Sequence, residues 1–385
     1  MTVTAFIRSP ALAEYRLGDE HPMSPLHRRL AVELIEAYGL LDRDDVRTVE
    51  SEPATDEQIS RVHAPAYVRA ARRFSESPVL ASSWEAAQWG FAAGGDTPAF
   101  AGMHEATAGI CGASITGAME VWEGRADQSF SVAGGLHHAL SNRAAGFCVY
   151  NDPAVAIAAL LDAGAERVAY VDVDVHHGDG TQWIFYEDPR VLTCSVHESG
   201  RYLFPGTGML AERGVGEGAG TSVNIPLPAY SGDAPYLRAV EEVIAPAVLA
   251  FDPDIIVTQD GADPHHQDPL AHLQVTTAAF PRLYRTLKQL AAEACGGRWV
   301  ALGGGGYNPD FVPRAWTMLF ATMLGVELDD ELPPAWREHA EAALGRVVTS
   351  TLMGDVEPIV SGPERMRADQ EGHLVVDQAR MLLST

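Results

Sequence analysis

The stretch Asp172-Val173-Asp174-Val175-His176-His177-Gly178-Asp179-Gly180 follows the apolar run Arg167-Val168-Ala169-Tyr170-Val171. The run predicts a buried strand that continues to His176. Side chains two residues apart share one face of a strand, so Asp172, Asp174 and His176 would lie on one face and the valines on the other. Two carboxylates and an imidazole on a buried strand need compensation, and a divalent cation supplies it because aspartate and histidine are both good ligands. The stretch therefore predicts a metal site.

The composition restricts the class of protein. A chain of 385 residues with 46 % hydrophobic residues, 36 glycines and 24 prolines fits a loop-rich globular α/β protein. It contains no apolar run near the ~18 residues of a membrane helix and no signal-peptide pattern. Its four cysteines are widely spaced, which is typical of reduced thiols. We expect a soluble, cytoplasmic protein.

The net charge of −25 argues against binding to nucleic acid, because phosphates would be repelled. It favours a cationic partner or substrate by electrostatic steering, with solubility or adaptation to salt as the simpler explanation.

Apolar runs that end in polar loops alternate with predicted helices. Besides the strand at 167–176, strands are predicted at 130–133, 191–197, 254–259 and 299–302. Helices are predicted at 152–161 with Asn151 as the cap, at 276–294 with Thr276 as the cap, and at 311–324. This alternation predicts an α/β fold with a mostly parallel sheet covered by helices on both faces. We interpret residues 1–385 as a single domain, with a core at about 5–330 and a peripheral tail at about 331–385.

A catalytic metal needs a third protein ligand besides Asp174 and His176. The candidates all follow the strand predicted at 254–259, where ligands of parallel sheets bind, and they are Asp260, Asp263, His265, His266 and Asp268. We choose Asp263, since it comes after the flexible pair Gly261-Ala262. Two oxygen ligands and one nitrogen favour Zn²⁺, with Fe²⁺ and Mn²⁺ as alternatives. The competing interpretation is that these acids only cap loops.

The pair His137-His138 follows two glycines at the end of another predicted strand. Hydrolysis assisted by a metal needs a base for the attacking water and an acid for the leaving group. Two imidazoles perform both roles when carboxylates orient them, and Asp172 and Asp179 are the available partners.

Tyr307 follows the four glycines Gly303 to Gly306. The glycines free the backbone to bring the tyrosine over the metal, where its hydroxyl would stabilise an oxyanion. Together these parts predict metal-assisted hydrolysis of an amide.

These motifs resemble the histone deacetylase superfamily, which has the arginase/deacetylase fold, and most of all its bacterial acetoin-utilization-type, class I-like deacetylases. The resemblance spans roughly residues 5–330. The motifs that carry it are His21-Pro22-Met23, Gly95-Asp96-Thr97-Pro98, Gly134-Gly135-Leu136-His137-His138-Ala139, Gly146-Phe147-Cys148, the stretch 172–180, Phe204-Pro205-Gly206-Thr207-Gly208, Gly261-Ala262-Asp263, Asp268-Pro269-Leu270 and Gly303 to Tyr307.

The resemblance implies a role for each site residue. It implies that Asp174, His176 and Asp263 bind zinc, that His138 with Asp179 is the general base, that His137 with Asp172 is its electrostatic partner, and that Tyr307 polarises the acetyl carbonyl. It also implies a lysine tunnel walled by Phe147 and Phe204 and completed by Gly146, Leu270 and Gly305, with Asp96 holding substrate amides at the rim. A structural K⁺ is implied at Asp172, Asp174, His176, Ser195 and Val196.

One position departs from the family pattern. Family members often have an arginine behind the active site, where acetate leaves, and a gapless register places His27 there with Arg28 adjacent. This departure puts the exit route in question and leaves the core chemistry unaffected.

The leading hypothesis is a zinc-dependent deacetylase of Nε-acetyl-lysine in proteins or peptides, which releases acetate; a metabolic enzyme such as an acyl-CoA synthetase is a plausible substrate by family analogy. The alternatives are a deacetylase of small acetylated amines such as acetylpolyamines, a non-catalytic scaffold, and an arginase-like enzyme with two Mn²⁺ ions. The sequence leaves the oligomeric state open.

Overall fold

An eight-stranded parallel sheet is the framework of the protein, as seen in a computed structural model that describes residues 2–18, 21–354 and 357–383. The order across the sheet is β2-β1-β3-β8-β7-β4-β5-β6, and neighbouring strands are parallel. The α/β class predicted from the sequence is confirmed. The strands are β1 (Thr4–Arg8), β2 (Val46–Glu50), β3 (Gln128–Ser131), β4 (Val168–Asp172), β5 (Val191–Glu198), β6 (Ser222–Leu227), β7 (Ile255–Gln259) and β8 (Trp299–Leu302).

Helices cover both faces of the sheet. Successive residues of β4 enter different apolar clusters, with Val168 and Tyr170 in one and Ala169 and Val171 in the other. The described α-helices are α1 (Pro25–Ala37), α2 (Asp56–Ile59), α3 (Pro65–Glu76), α4 (Trp84–Trp89), α5 (Met103–Trp122), α6 (Asp152–Asp162), α7 (Asp179–Ile184), α8 (Asp233–Ala239), α9 (Ala245–Phe251), α10 (Ala279–Cys295), α11 (Phe311–Leu324), α12 (Pro334–Leu344) and α13 (Pro363–Leu382). A π-helical turn at Val240–Ile244 joins α8 to α9.

Strand β4 ends at Asp172, so the predicted continuation to His176 is wrong. The amides that would extend the strand are bound by carboxylates instead. Val175 N donates to Asp263 Oδ1 at 2.9 Å, and His176 N donates to Asp174 Oδ1, also at 2.9 Å. The chain therefore leaves the sheet at the point where aspartate side chains, instead of a neighbouring strand, accept the hydrogen bonds of its backbone amides.

The predicted alternation of faces nevertheless continues beyond the strand. Val171, Val173 and Val175 are all buried in the same apolar cluster. Their intervening polar neighbours, Asp174 and His176, lie outside this cluster and approach Asp263 instead.

Two smaller predictions also need correction. Strand β3 occupies Gln128–Ser131 rather than 130–133. Helix α10 begins at Ala279, and Thr276 does not cap it, because its hydroxyl donates to Asp233 Oδ2 at 2.7 Å. In contrast, Asn151 caps α6 as predicted, since its side chain accepts from Ala154 N.

The segment after residue 330 packs on the body of the protein. Trp336 of α12 is buried and its Nε1 donates to Leu30 O at 3.0 Å, while Val376 and Ala379 of α13 enter the main apolar cluster. Residues 355, 356, 384 and 385 of the predicted tail lie outside the described residues. Within the part of the chain that the structure describes, no helix has the length and apolar character needed to cross a membrane.

Candidate metal centre and catalytic pocket

Asp174, His176 and Asp263 converge at the carboxyl ends of β4 and β7, as the sequence predicts. One ligand atom from each lies within 4.8 Å of the others, and all three residues are buried. His176 Nδ1 is 3.1 Å from Asp174 Oδ1 and 3.2 Å from Asp263 Oδ2. Two carboxylate oxygens and an imidazole nitrogen therefore surround one point.

The outer oxygens of these carboxylates are held by hydrogen bonds that fix their orientation. Gln259 Nε2 and Gly305 N donate to Asp174 Oδ2 at 2.7 and 2.9 Å. Val175 N holds Asp263 Oδ1. Such support around a metal site orients the ligands before the ion arrives. Sequence reasoning missed Gln259; a glutamine that ends an otherwise apolar buried strand is the signal that could have identified it.

Glycines allow the ligands to approach one another. A Cβ atom at Gly305 would lie 2.1 Å from Asp263 Oδ2 and 2.7 Å from Asp174 Oδ2. At Gly261 it would lie 2.3 Å from Asp174 Oδ2. Any larger residue at either position would displace a ligand.

Electrostatics also favour a cation at this point. Burial, together with the charge of Asp174, raises the pKa of Asp263 well above its usual range. Burial has the same tendency at Asp174, but the charges and hydrogen bonds of His137 and His176 outweigh it and hold the pKa of that carboxyl well below its usual range. The Asp263 carboxylate thus has too little positive charge nearby to stay ionised. A divalent cation, which takes oxygen and nitrogen ligands, fits the three residues.

The two histidines of the predicted acid–base pair are each held by a carboxylate. His137 Nδ1 donates to Asp172 Oδ2 and His138 Nδ1 donates to Asp179 Oδ1, both at 2.7 Å. The Nε2 atoms of the two rings are 3.0 Å apart. Both rings therefore present Nε2 to the same place, in the arrangement that the sequence predicts.

The two imidazoles differ in protonation. Burial and then the positive charge of His137 lower the pKa of His138 to about 4. Burial also disfavours the charge on His137, but the charges of Asp172 and Asp174 outweigh it and raise its pKa to about 9. Near neutral pH, His138 thus carries a free lone pair on Nε2, whereas His137 is positively charged.

A buried carboxylate positions the loop that carries this pair. Asp152 accepts from Gly135 N at 3.0 Å and from Leu136 N at 2.7 Å, and the Ser114 hydroxyl also donates to it. Sequence reasoning identified Asp152 only as part of a helix start. Its second function depends on residues far away in the chain, so the local pattern carries no signal for it.

Tyr307 is 9 % exposed and its ring lies 5.7 Å from that of Phe147. Its amide donates to Asp268 Oδ2 at 2.8 Å, so Asp268, once a candidate ligand, instead holds this segment. Burial and then the charges of Asp263 and Asp174 raise the pKa of Tyr307 well above its usual range. The phenol is consequently a protonated donor near the centre.

The predicted tunnel residues surround the approach to the histidine pair. The Phe204 ring lies 4.9 Å from the His138 ring, in an edge contact, and 43 % of Phe204 is exposed. Phe147 has a left-handed backbone with φ 67°. Its N–H donates to Thr97 Oγ1 and its carbonyl accepts from the Tyr15 hydroxyl, which together hold this conformation.

The remaining tunnel and rim residues are joined by backbone contacts. Asp96, which is exposed, accepts from Gly146 N at 2.9 Å, and Asp268 Oδ1 accepts from Leu270 N, also at 2.9 Å. A Cβ at Gly146 would lie 2.3 Å from His138 Cδ2. Asp96 therefore shapes the tunnel wall in addition to its predicted position at the rim.

Several other candidates lie apart from the centre. His265 stacks on Phe311 at 3.6 Å between ring centroids. His177, the neighbour of His176, bonds to Thr207 and Gln182 and not to the ligand residues. The described candidates that do not join the three ligand residues are Asp260, His265, His266 and Asp268.

The predicted K⁺ ligands occupy adjacent strands. Asp172 of β4 and Ser195 of β5 are partners in the register of these two strands. Asp174 and His176 follow β4, and Val196 follows Ser195. The potassium site stays a prediction.

Arg28, and not His27, is the buried cation behind the centre. Its Nη2 donates to Gly304 O at 3.2 Å, and its charge interacts with Tyr307. His27 is only half-buried and bonds to the Gly306 carbonyl. The gapless register indicates His27, whereas the structure buries Arg28, and the helical spacing of Arg28, Ala31 and Ile35 on the buried face of α1 is the signal for this burial.

Comparison with known proteins agrees with this geometry. The histone deacetylase domain matches residues 21–323. The chain belongs to the histone deacetylase family. Its parallel sheet with helices on both faces is consistent with the arginase/deacetylase fold, and it is a hydrolytic deacetylase that acts on acetylated substrates.

Similar proteins include bacterial acetoin utilization proteins. Acetoin utilization protein AcuC of Bacillus subtilis is 41 % identical over 337 residues, covering 87 % of this chain and 86 % of the relative. AcuC of Staphylococcus xylosus is 35 % identical over 383 residues, covering 99 % and 97 %. AcuC of Staphylococcus aureus (strain MSSA476) is 38 % identical over 335 residues, covering 86 % and 85 %. This deacetylase is therefore similar to AcuC proteins over most of its length.

Proposed function

We propose that this deacetylase hydrolyses Nε-acetyl-lysine in proteins or peptides and releases acetate, with Zn²⁺ held by Asp174, His176 and Asp263. The observation that supports this most strongly is the pair of imidazoles, each held by a carboxylate, beside a buried oxygen–nitrogen–oxygen ligand set. When bound, the ion would supply Lewis acidity and lower the pKa of a water molecule. Fe²⁺ is the alternative ion for the same ligands.

His138 is the general base in this proposal. Its Nδ1 is engaged by Asp179, so Nε2 accepts the proton of the attacking water. As the C–N bond of the amide breaks, the same proton passes to the departing amine, and the products are acetate and lysine. His137, held by Asp172, contributes a positive charge beside the developing negative charge.

Tyr307 donates its hydroxyl hydrogen to the carbonyl oxygen as that oxygen becomes negative. Its raised pKa keeps the proton on the phenol, and the contact of Asp268 with its amide fixes the backbone. A preorganised donor of this type is typically worth about 10²–10³-fold in kcat.

The tunnel favours an acyl group on a thin, unbranched stem. Phe147 and Phe204 provide aromatic walls that would contact the methylene groups of a lysine side chain. Acetylation removes the positive charge of the lysine nitrogen, so no charge would have to enter between these walls. Such a tunnel accommodates acetyl-lysine within a peptide, whose main chain would stay outside at Asp96.

The test is acetate release from an acetyl-lysine peptide by the Zn²⁺-loaded protein. We expect turnover, and we expect His138→Ala and Tyr307→Phe to lower kcat by about 10²–10⁴-fold while the melting temperature changes little. An exposed histidine, His339, provides a matched control as His339→Ala, which should leave kcat unchanged.

Acetylputrescine measured in parallel separates the two substrate classes. A kcat/KM for acetylputrescine well above that for the peptide would replace acetyl-lysine with a small acetylated amine as the substrate. Near-normal kcat in either active-site variant would show that the role given to that residue is wrong.

A further inference from the structure

A long groove runs along one face of α13. It consists of two adjoining cavities of about 590 and 540 Å³ that share Arg201, Tyr202, Pro228 and Glu371. The helix contributes residues at the spacing of a single face, which are Glu364, Arg367, Ala368, Glu371, Val375 and Gln378. At 1.5 Å per residue this face is roughly 20 Å long, the length of about six residues of extended chain.

The opposite wall of the groove is formed by residues that lie close along the chain to two predicted tunnel residues. Tyr202, which is 60 % exposed, precedes the tunnel residue Phe204 by two positions, and His272 follows the tunnel residue Leu270 by two. Two residues of extended chain span about 7 Å. The main chain that flanks a lysine in the tunnel would therefore reach the groove within a few residues.

The charges in the groove indicate what it binds. Arg201 and Arg367 stand with Glu364 and Glu371 around the cavity, and among the described residues none of these four side chains has an ion-pair partner within 4.0 Å. Unpaired groups of both signs suit a ligand that has both donors and acceptors along its length. A peptide main chain has both, whereas a polyamine offers donors alone.

We propose that this groove binds the extended peptide segment flanking the acetyl-lysine, so that the enzyme recognises a polypeptide rather than an isolated acetylated amine. This rests on the proposed function, since it concerns the same substrate. The wall formed by α13 lies outside residues 21–323, which match the histone deacetylase domain.

Two substrates test the proposal, an eleven-residue peptide with acetyl-lysine at its centre and the single residue Nα-acetyl-Nε-acetyl-lysine methylamide. We expect kcat/KM for the peptide to exceed that for the single residue by about tenfold or more. The double variant Arg201→Ala/Glu371→Ala should lower kcat/KM for the peptide about tenfold, mainly through KM, and leave the single residue within about twofold. The matched control is Arg285→Ala/Glu293→Ala, an exposed pair on α10 that lines neither cavity, and it should change neither value.

Equal kcat/KM values for the two substrates in the unmodified enzyme would overturn the groove assignment, and so would an equal loss on both substrates in the groove variant. If the groove variant kept normal kinetics but had lost a dimer that the unmodified enzyme forms in sedimentation, the groove would instead be assigned to self-association. If neither substrate is hydrolysed by the metal-loaded enzyme, the proposed function fails and the groove assignment fails with it. If the unmodified enzyme hydrolyses both substrates but the groove variant does not lose activity selectively on the peptide, the groove assignment fails and the proposed function stands.

Discussion

The metal centre and the rim of the tunnel are built in opposite ways. At the centre, Asp174 and Asp263 are completely buried and receive hydrogen bonds from the backbone. At the rim, Asp96 and Phe204 are exposed and stand on loops. In the proposed mechanism the reaction therefore depends on side chains fixed at the ends of buried strands, whereas recognition of the substrate depends on loops that tolerate change.

A change at the centre should have the largest effect. Gly305→Ala places a Cβ 2.1 Å from Asp263 Oδ2, so a ligand must move. We expect loss of bound metal and a fall in kcat/KM of more than about 10³-fold, because catalytic groups need positioning to within about 0.5 Å. Metal analysis and peptide kinetics check this.

Gly18→Ala is the control for that variant, since among the described residues its Cβ would meet only the His21 Cβ at 3.8 Å. It should keep activity within about twofold. Full metal content and normal activity in Gly305→Ala would show that the centre is less rigid than its contacts indicate.

A change at the rim should have an intermediate effect confined to substrate binding. Phe204→Ala removes one tunnel wall, so we expect KM for the peptide to rise about tenfold with kcat nearly unchanged. The melting temperature should change by less than about 2 °C, because Phe204 is 43 % exposed. A fall in kcat at constant KM would place Phe204 in the chemical step instead.

The smallest effect should come from Asp260, which is buried behind the centre. Burial raises its pKa to about 8, so the folded protein favours the protonated acid. The stability that this acid contributes is fully present below pH ~4 and is lost as the pH rises through about 8. Asp260→Asn cannot ionise, and we expect it to raise the free energy of unfolding by about 2 kcal/mol at pH 8.5 and by less at pH 5.

Thermal unfolding at the two pH values measures this difference. The exposed acid Asp44 serves as the control, and Asp44→Asn should have the same stability as the parent at both. An Asp260→Asn variant that is equally destabilised at both values would contradict a protonated Asp260.

The sequence predicts the centre better than its surroundings. Asp263 could be chosen because polar residues collect at the carboxyl ends of parallel strands, and the alternation of valines after Val171 gives the direction of Asp174. The end of β4 could not be predicted, since it depends on a hydrogen bond from Val175 to Asp263, which is 88 residues away. The burial of Arg28 was not predicted for a different reason, because a register counted along the chain ignores which face of α1 is buried.

The central claim is that one divalent ion at Asp174, His176 and Asp263 is required for hydrolysis. It is tested most directly by titrating Zn²⁺ into the chelated enzyme while following acetate release from an acetyl-lysine peptide. We predict no activity without metal, full activity at about one ion per chain, and neither stoichiometric binding nor recovery in Asp263→Asn. Activity that survives complete removal of the metal, or that requires two ions per chain, would contradict the claim.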